Sequence, residues 1–316
     1  MLKNYGDALK RIWENVMTSL SFPLVFIIDE SLVFDENIVT NSLCDYFSTV
    51  GKKLANNIPP SKKSLHSYLP PINNSTLFLT PTNESEILKL IKTLKQKNSS
   101  GHDGISNVLL KKIGPEIALP LCIIFNKSLE EGIVPSQCKV SEVHPLYKAK
   151  CKQSLTNYRT VSLLPVISKI LEKIVYARLY KFLVQHGILY VSQYGFRHNY
   201  STVNAISEFV GKIVKGFEKN EFTLGVFLDL SKAFDTISHT ILLKKLERYG
   251  IRGHALDWFK NYLDNRKQYV KLGNNCSELH NVSVGVPQGS VLGPLLFLVY
   301  VNDLSSHLEN TVEPRL

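Results

Sequence analysis

The chain has 316 residues, 44% of them hydrophobic, which is enough for one large core or two modest ones and excludes a disordered tail. Lysine and arginine number 37 against 27 aspartates and glutamates, and the formal net charge of +10 favours a polyanionic partner, nucleic acid first. Five scattered cysteines (Cys44, Cys122, Cys138, Cys151, Cys276) form no C-x-x-C pair, which points away from zinc and disulfide frameworks and towards a reducing compartment. The most apolar early stretch, Pro23 to Ile28, is too short to span a bilayer, and no secretory leader is evident. The expectation is an intracellular protein with no membrane partner.

Residues 1–80 show weak periodicity and a Pro-rich, polar end, and are read as a helical lead-in and linker, with residues 81–316 forming the main domain. Asn83 is placed to cap a helix with Glu86 three residues on, and Ile87, Leu88, Leu90, Ile91 and Leu94 give it an apolar face. Ser99 to Gly104 breaks that helix. Helices are predicted around Pro115 to Glu131 and Ile167 to Gln185, with a strand at Val140 to Tyr147 and a basic loop holding Lys148, Lys150, Lys152 and Arg159. The apolar run Val226-Phe227-Leu228 reads as a core strand with Asp229 at its exit. Helices at His239 to Tyr249, closed by Gly250, and at His254 to Leu263 follow. Strands at Gln268 to Leu272 and Leu279 to Val284 flank a turn at Gly273-Asn274-Asn275, and an apolar helix from Val291 to Leu304 ends the series.

An ionised carboxylate at a strand exit needs a cation or several donors, because burying it alone costs several kcal/mol. Taken by itself, Asp229 caps the next turn, with Ser231 and Lys232 in reach. Its surroundings say more. In chain order come Ser100-Gly101-His102-Asp103-Gly104-Ile105, Gly132-Ile133-Val134-Pro135, Tyr158-Arg159-Thr160-Val161-Ser162-Leu163-Leu164, and Gln193-Tyr194-Gly195-Phe196-Arg197. Then come Phe227-Leu228-Asp229-Leu230-Ser231-Lys232-Ala233-Phe234-Asp235 and Gly285-Val286-Pro287-Gln288-Gly289-Ser290-Val291-Leu292-Gly293-Pro294. Together these resemble the reverse transcriptases of non-LTR retrotransposons of the jockey-like kind, over nearly everything from residue 85 onward.

The resemblance implies an α/β (α+β) right hand, with fingers and an incomplete palm in residues 81–316 and no thumb. It implies templated DNA synthesis on an RNA template and DNA primer from deoxynucleoside triphosphates, by two magnesium ions about 3.5 to 4 Å apart. Asp229 matches the first catalytic carboxylate and metal ligand, with the Leu230 backbone carbonyl as a second hard oxygen contact. Arg159 matches the arginine that grips the triphosphate, with Lys148 and Lys150 adding charge. Phe234 matches the ring that closes the sugar pocket against a 2′-hydroxyl. Gln288 and Gly289 match the motif under the nucleotide and templating base, and Arg197, Tyr194 and Phe196 match a path for template and primer. Thr160 stands where the family usually has proline, and Ala149-Lys150-Cys151 where it has a Lys-Gly-Asp type turn.

The family's second catalytic motif is an adjacent Asp-Asp pair, and this sequence contains none. Tyr300-Val301-Asn302-Asp303 matches the end of the preceding helix in the family rather than a decayed copy of the pair, and Asp235 is expected to cap or precede the helix near Ser238. The expectation is a chain inactive by itself. The alternatives are a non-catalytic RNA-binding remnant of such a polymerase, and an RNA-synthesising relative, against which Phe234 argues.

Overall fold

The computed structural model describes residues 22–304 except 24, 60 and 63. Its main sheet is built on β3 (Val140–Tyr147), β4 (Tyr158–Leu163) and β5 (Arg266–Leu272). β3 pairs antiparallel with β4, from Glu142 opposite Leu163 to Tyr147 opposite Tyr158, and parallel with β5, from Val140 opposite Lys267 to Val143 opposite Val270. On the far edge of β5 lie two short antiparallel strands, β6 (Asn275–Cys276) and β7 (His280–Val282). A separate hairpin, β1 (Phe26–Ile28) with β2 (Ser31–Val33), precedes them. Gly273 makes the turn after β5 with φ +60°, a conformation that glycine adopts without strain.

One layer of the fold lies within the stretch expected to be lead-in. Helix α1 (Glu36–Asn56) starts at Asp35, whose side chain accepts from the backbone of Asn37 and Ile38. Val39, Leu43 and Phe47 recur every four residues, and with Cys44 and Phe26 they pack on Val143, Tyr158, Val270 and Leu272 of the sheet.

The larger core joins α2 (Glu84–Lys92), α3 (Asn107–Lys112), α4 (Gly114–Glu131), α5 (Val166–Gln185), α7 (His239–Arg248), α8 (His254–Leu263) and α9 (Gly293–Val301). Ile87, Leu110, Phe125, Ile170, Ile174, Leu246, Trp258, Phe259 and Leu296 lie at its centre. Asn83 caps α2 as its spacing predicts, accepting from the Glu86 N–H at 2.9 Å. Glu86 itself turns to Arg178 of α5, which donates to its two carboxylate oxygens at 2.6 and 2.8 Å.

The predicted core strand at Val226 to Leu228 is corrected. Residues 221–230 join no ladder, and Val226, Phe227 and Leu228 are 73–84% exposed. A strand needs a neighbour to take its N–H and C=O groups, and no strand lies beside this one among the described residues. Before it runs α6 (Thr202–Glu218), unforeseen in the sequence, whose Val203, Ile206, Val210, Val214 and Phe217 also face outward at helical spacing.

Candidate nucleotide-binding site

Three segments far apart in sequence are tied together by their backbones. In the turn after Asp229, Asp235 N–H donates to Lys232 O at 2.8 Å and the Phe234 carbonyl accepts from Val286 N–H at 2.8 Å. Gly285 N–H donates to Ile237 O at 2.8 Å, and Gln288 O accepts from Ser162 N–H of β4 at 2.8 Å. The Phe234 turn, the Pro287-Gln288-Gly289 loop and β4 are thereby fixed to one another. Gly289 has φ +131°, and a Cβ there would press on the Ser162 carbonyl oxygen, so only glycine lets the loop come this close. The far end of the loop is held by Glu172 of α5, which is 1% exposed and accepts from Val291 and Leu292 N–H at 2.6 and 3.1 Å. Burial pushes the Glu172 carboxyl above its ordinary value, opposed by the nearby Arg266 charge and these two N–H donors.

A cleft opens at this junction, lined among others by Ser48 and Gly51 of α1, Thr160 and Ser162 of β4, Asp235 and Gln288. Gln288 Nε2 donates to both carboxylate oxygens of Asp235, at 2.9 and 3.0 Å. Burial raises the Asp235 carboxyl above its ordinary value, against the Gln288 hydrogen bond and the Lys232 charge, which lower it. The helix beyond is capped by Ser238, whose hydroxyl accepts from Ile241 N–H, while Asp235 precedes it. Asp235 is therefore a member of the cleft that sequence reasoning passed over. Gly51 was the available signal: a Cβ there would overlap the Asp235 carbonyl oxygen, and a glycine inside a helix marks such a close approach.

Phe234 is half-buried, stacked on Phe297 with centroids 5.2 Å apart and edge-on to Phe196 at 5.9 Å. Arg159 lies on β4 between buried Tyr158 and Thr160, and side chains alternate along a strand, so it faces away from the cleft and into solvent. Lys148 and Lys150 are exposed on the β3–β4 loop close by, Lys150 with φ +73° and its carbonyl accepting from the Tyr147 hydroxyl at 2.6 Å. Arg197 is committed locally: Nη1 donates to Tyr190 O at 2.9 Å and Gln193 O at 3.4 Å, and the guanidinium lies 4.2 Å from the Tyr200 ring centroid. Tyr194 meets the same Tyr200 ring edge-on at 5.8 Å.

Asp229 and Leu230 are exposed, apart from this junction's buried polar groups. Among the described residues no three His, Cys, Asp or Glu side chains are grouped to hold a metal ion, so they do not make up a two-metal centre. Asn302 and Asp303 are both 7% exposed and serve the fold. Asn302 accepts from Tyr190 N–H at 2.8 Å and donates to Ile188 O at 2.8 Å and the Tyr249 hydroxyl at 3.1 Å. Asp303 accepts from Lys245, which also donates to Tyr300 O at 2.6 Å. No helix among the described residues is long and apolar enough to cross a membrane.

The family model "Reverse transcriptase (RNA-dependent DNA polymerase)" matches residues 148–314, which hold the β3–β4 loop, the Phe234 turn and the Gln288 loop. Three proteins of Drosophila melanogaster are similar to the chain. The probable RNA-directed DNA polymerase from transposon BS is 34% identical over 77% of the chain and 27% of its own length. That from transposon X-element is 32% identical over 72% and 25%, and the RNA-directed DNA polymerase from mobile element jockey 29% over 78% and 27%. The chain thus spans about a quarter of the length of these relatives. It belongs to the reverse transcriptase family, in the company of the jockey-like non-LTR retrotransposons.

Proposed function

We propose that this chain forms the fingers and part of the palm of an RNA-directed DNA polymerase, gripping an RNA template with its DNA primer and selecting deoxynucleoside triphosphates inside the cell. The observation that carries this reading is the backbone tie between β4, the Phe234 turn and the Pro287-Gln288-Gly289 loop around one cleft. Family membership supplies the class of substrate, and the chain's own residues supply grip and selection. The Phe234 ring has no hydrogen-bonding group and is held between two other rings, so a 2′-hydroxyl placed against it would lose its water and gain no partner. Arg159, Lys148 and Lys150 form an exposed basic edge suited to phosphates. Asp229 and the Leu230 carbonyl would furnish part of the ligand set for magnesium, the ion this family's chemistry calls for.

Fluorescence anisotropy of a labelled RNA–DNA template–primer tests the reading. Affinity is expected to fall steeply with salt, by about a thousandfold between roughly 50 and 200 mM for six or more neutralised phosphates. Bound template–primer should then recruit dGTP in preference to GTP. Absence of binding, or binding indifferent to salt, overturns the reading.

A further inference from the structure

Helix α7 leads from the cleft to a second concave site at its other end. At its start, His239 Nε2 lies 2.7 Å from Gly285 O, beside the cleft. From His239 to Arg248 the helix rises about 1.5 Å per residue, or about 14 Å in all. There a pocket of about 290 Å³ opens, lined by Leu69 and Ile72 from one segment and by Lys244, Glu247, Arg248 and Arg252 from the other. Its charges do not cancel. Lys244 and Arg248 are one helical turn apart and half-buried, and no hydrogen bond or ion pair among the described residues engages either side chain. Their neighbour Lys245, in contrast, is bound to Asp303. Arg252 Nη2 donates to Asn73 O at 2.5 Å, and Nη1 lies 3.4 Å from both Ser75 O and the Thr76 hydroxyl. These acceptors are neutral, so the guanidinium is held in place with its charge uncompensated. Glu247 is the single carboxylate of the lining. The facing wall is fastened too: Asn73 N–H donates to Arg248 O at 2.8 Å and Leu77 N–H to Gly250 O at 2.9 Å. The pocket is therefore built before any ligand arrives.

Three cations beside an apolar wall match a phosphate joined to a flat, weakly polar group. A bare phosphate or an acidic peptide would leave Leu69 and Ile72 unused, and a base inside a duplex is stacked and paired and cannot reach them. We propose that this pocket takes one nucleotide of a single-stranded nucleic acid outside the cleft, its phosphate on Lys244, Arg248 and Arg252 and its base on Leu69 and Ile72. The inference goes beyond the function proposed above, and the site stands even if the cleft has another use.

The test is anisotropy of a short labelled oligouridine on the 316-residue chain, with a saturating blunt RNA–DNA duplex present to fill the cleft. The oligouridine is expected to bind beside the duplex. The double variant Lys244→Ala, Arg248→Ala should weaken it about tenfold and lower its salt slope by about 0.7, the share of one single-strand phosphate, with duplex affinity unchanged. Arg252 is left intact because it anchors the facing wall. Glu247→Gln removes the opposing charge and should tighten the oligouridine about threefold, an effect of sign that a structural role would not give. Ile72→Ser should weaken it about threefold with the salt slope unchanged, because the base loses its apolar contact. At matched ionic strength, UMP should displace it at lower concentration than inorganic phosphate. Displacement by the duplex, or a folded double variant that binds as the wild type does, overturns the proposal. So does equal displacement by UMP, inorganic phosphate and a glutamate-rich peptide, which shows attraction of charge alone. If the double variant does not fold, Glu247→Gln and Ile72→Ser decide, and no change in either overturns the proposal. A wild type that binds the duplex but no oligouridine defeats this inference alone; one that binds the oligouridine but no duplex defeats the proposed function alone.

Discussion

The ring of Phe196 stands edge-on to that of Phe234, with planes at 86° and centroids 5.9 Å apart, and it reaches this position from a left-handed backbone with φ +56°. A bulky residue in that region costs on the order of 1 to 3 kcal/mol, although Phe196 is still 53% exposed. Phe196 thus props the ring expected to exclude a 2′-hydroxyl, and Phe297 stacks on that ring from elsewhere in the core. Phe234→Ala should raise binding of GTP relative to dGTP by about tenfold or more, and should cost about 3 kcal/mol in thermal or urea unfolding. Phe196→Leu should shift the same ratio by less, because it loosens the ring without removing it. Competition between GTP and dGTP for the template–primer complex measures both.

Asn302 separates a structural role from a catalytic one. Its Nδ2 donates to Ile188 O and to the Tyr249 hydroxyl. Asn302→Asp would create an Asp-Asp sequence with Asp303 and would also set a carboxylate against the Ile188 carbonyl. Loss of about 3 kcal/mol of stability is expected, with no gain in primer extension. A rise in primer extension in this variant would mean that the segment is a catalytic motif after all.

The pair between Arg178 and Glu86 predicts an acid limb. Hydrogen bonding from Arg178, aided by Thr82 and opposed by burial, holds the Glu86 carboxyl below its ordinary value of 4.5. The folded state therefore favours the ionised form, and its stabilisation is present above pH 4.5 and lost as the pH falls through the lower folded value. Glu86→Gln should lower stability near neutrality by about 1.5 kcal/mol and flatten the decline below about pH 4.5. Urea unfolding across that range reads both effects.

What could be read from the sequence follows the range of the interactions that fix each part. The α8 helix at His254–Leu263 and the strand at Val140–Tyr147 have the bounds predicted, because a turn of helix or an extended run bordered by breakers is specified locally. The Asn83 cap was legible for the same reason. Val226 to Leu228 misled because three apolar residues announce an extended chain and say nothing about who pairs with it. The packing of α1 was masked by polar residues between Val39, Leu43 and Phe47, although the spacing was present. The bond between Asp235 and Gln288 joins residues 53 positions apart, and no local pattern reports it. Motif resemblance brought Phe234 and Gln288 to attention, but the commitment of Arg197 to its own loop is visible only in three dimensions.

Arg159 and Arg197 should respond differently to the same substitution. Arg159 is exposed on β4 beside the basic loop, whereas Arg197 spends its guanidinium on the carbonyls of Tyr190 and Gln193 and on the Tyr200 ring. Arg159→Ala is expected to leave the unfolding midpoint within about 0.5 kcal/mol of wild type, as surface changes do, while lowering the salt slope of template–primer binding by about 0.7 to 0.9, as loss of one phosphate contact does. Arg197→Ala is expected to cost about 2 kcal/mol of stability by leaving those carbonyls without their donor and the ring uncovered. If Arg197 gripped the template instead, its loss would lower the salt slope of template–primer binding by about 0.7 to 0.9 while leaving stability intact. Melting curves and salt titrations on the two variants separate these roles, because a guanidinium already occupied by its own loop changes the first measurement and a free one changes the second.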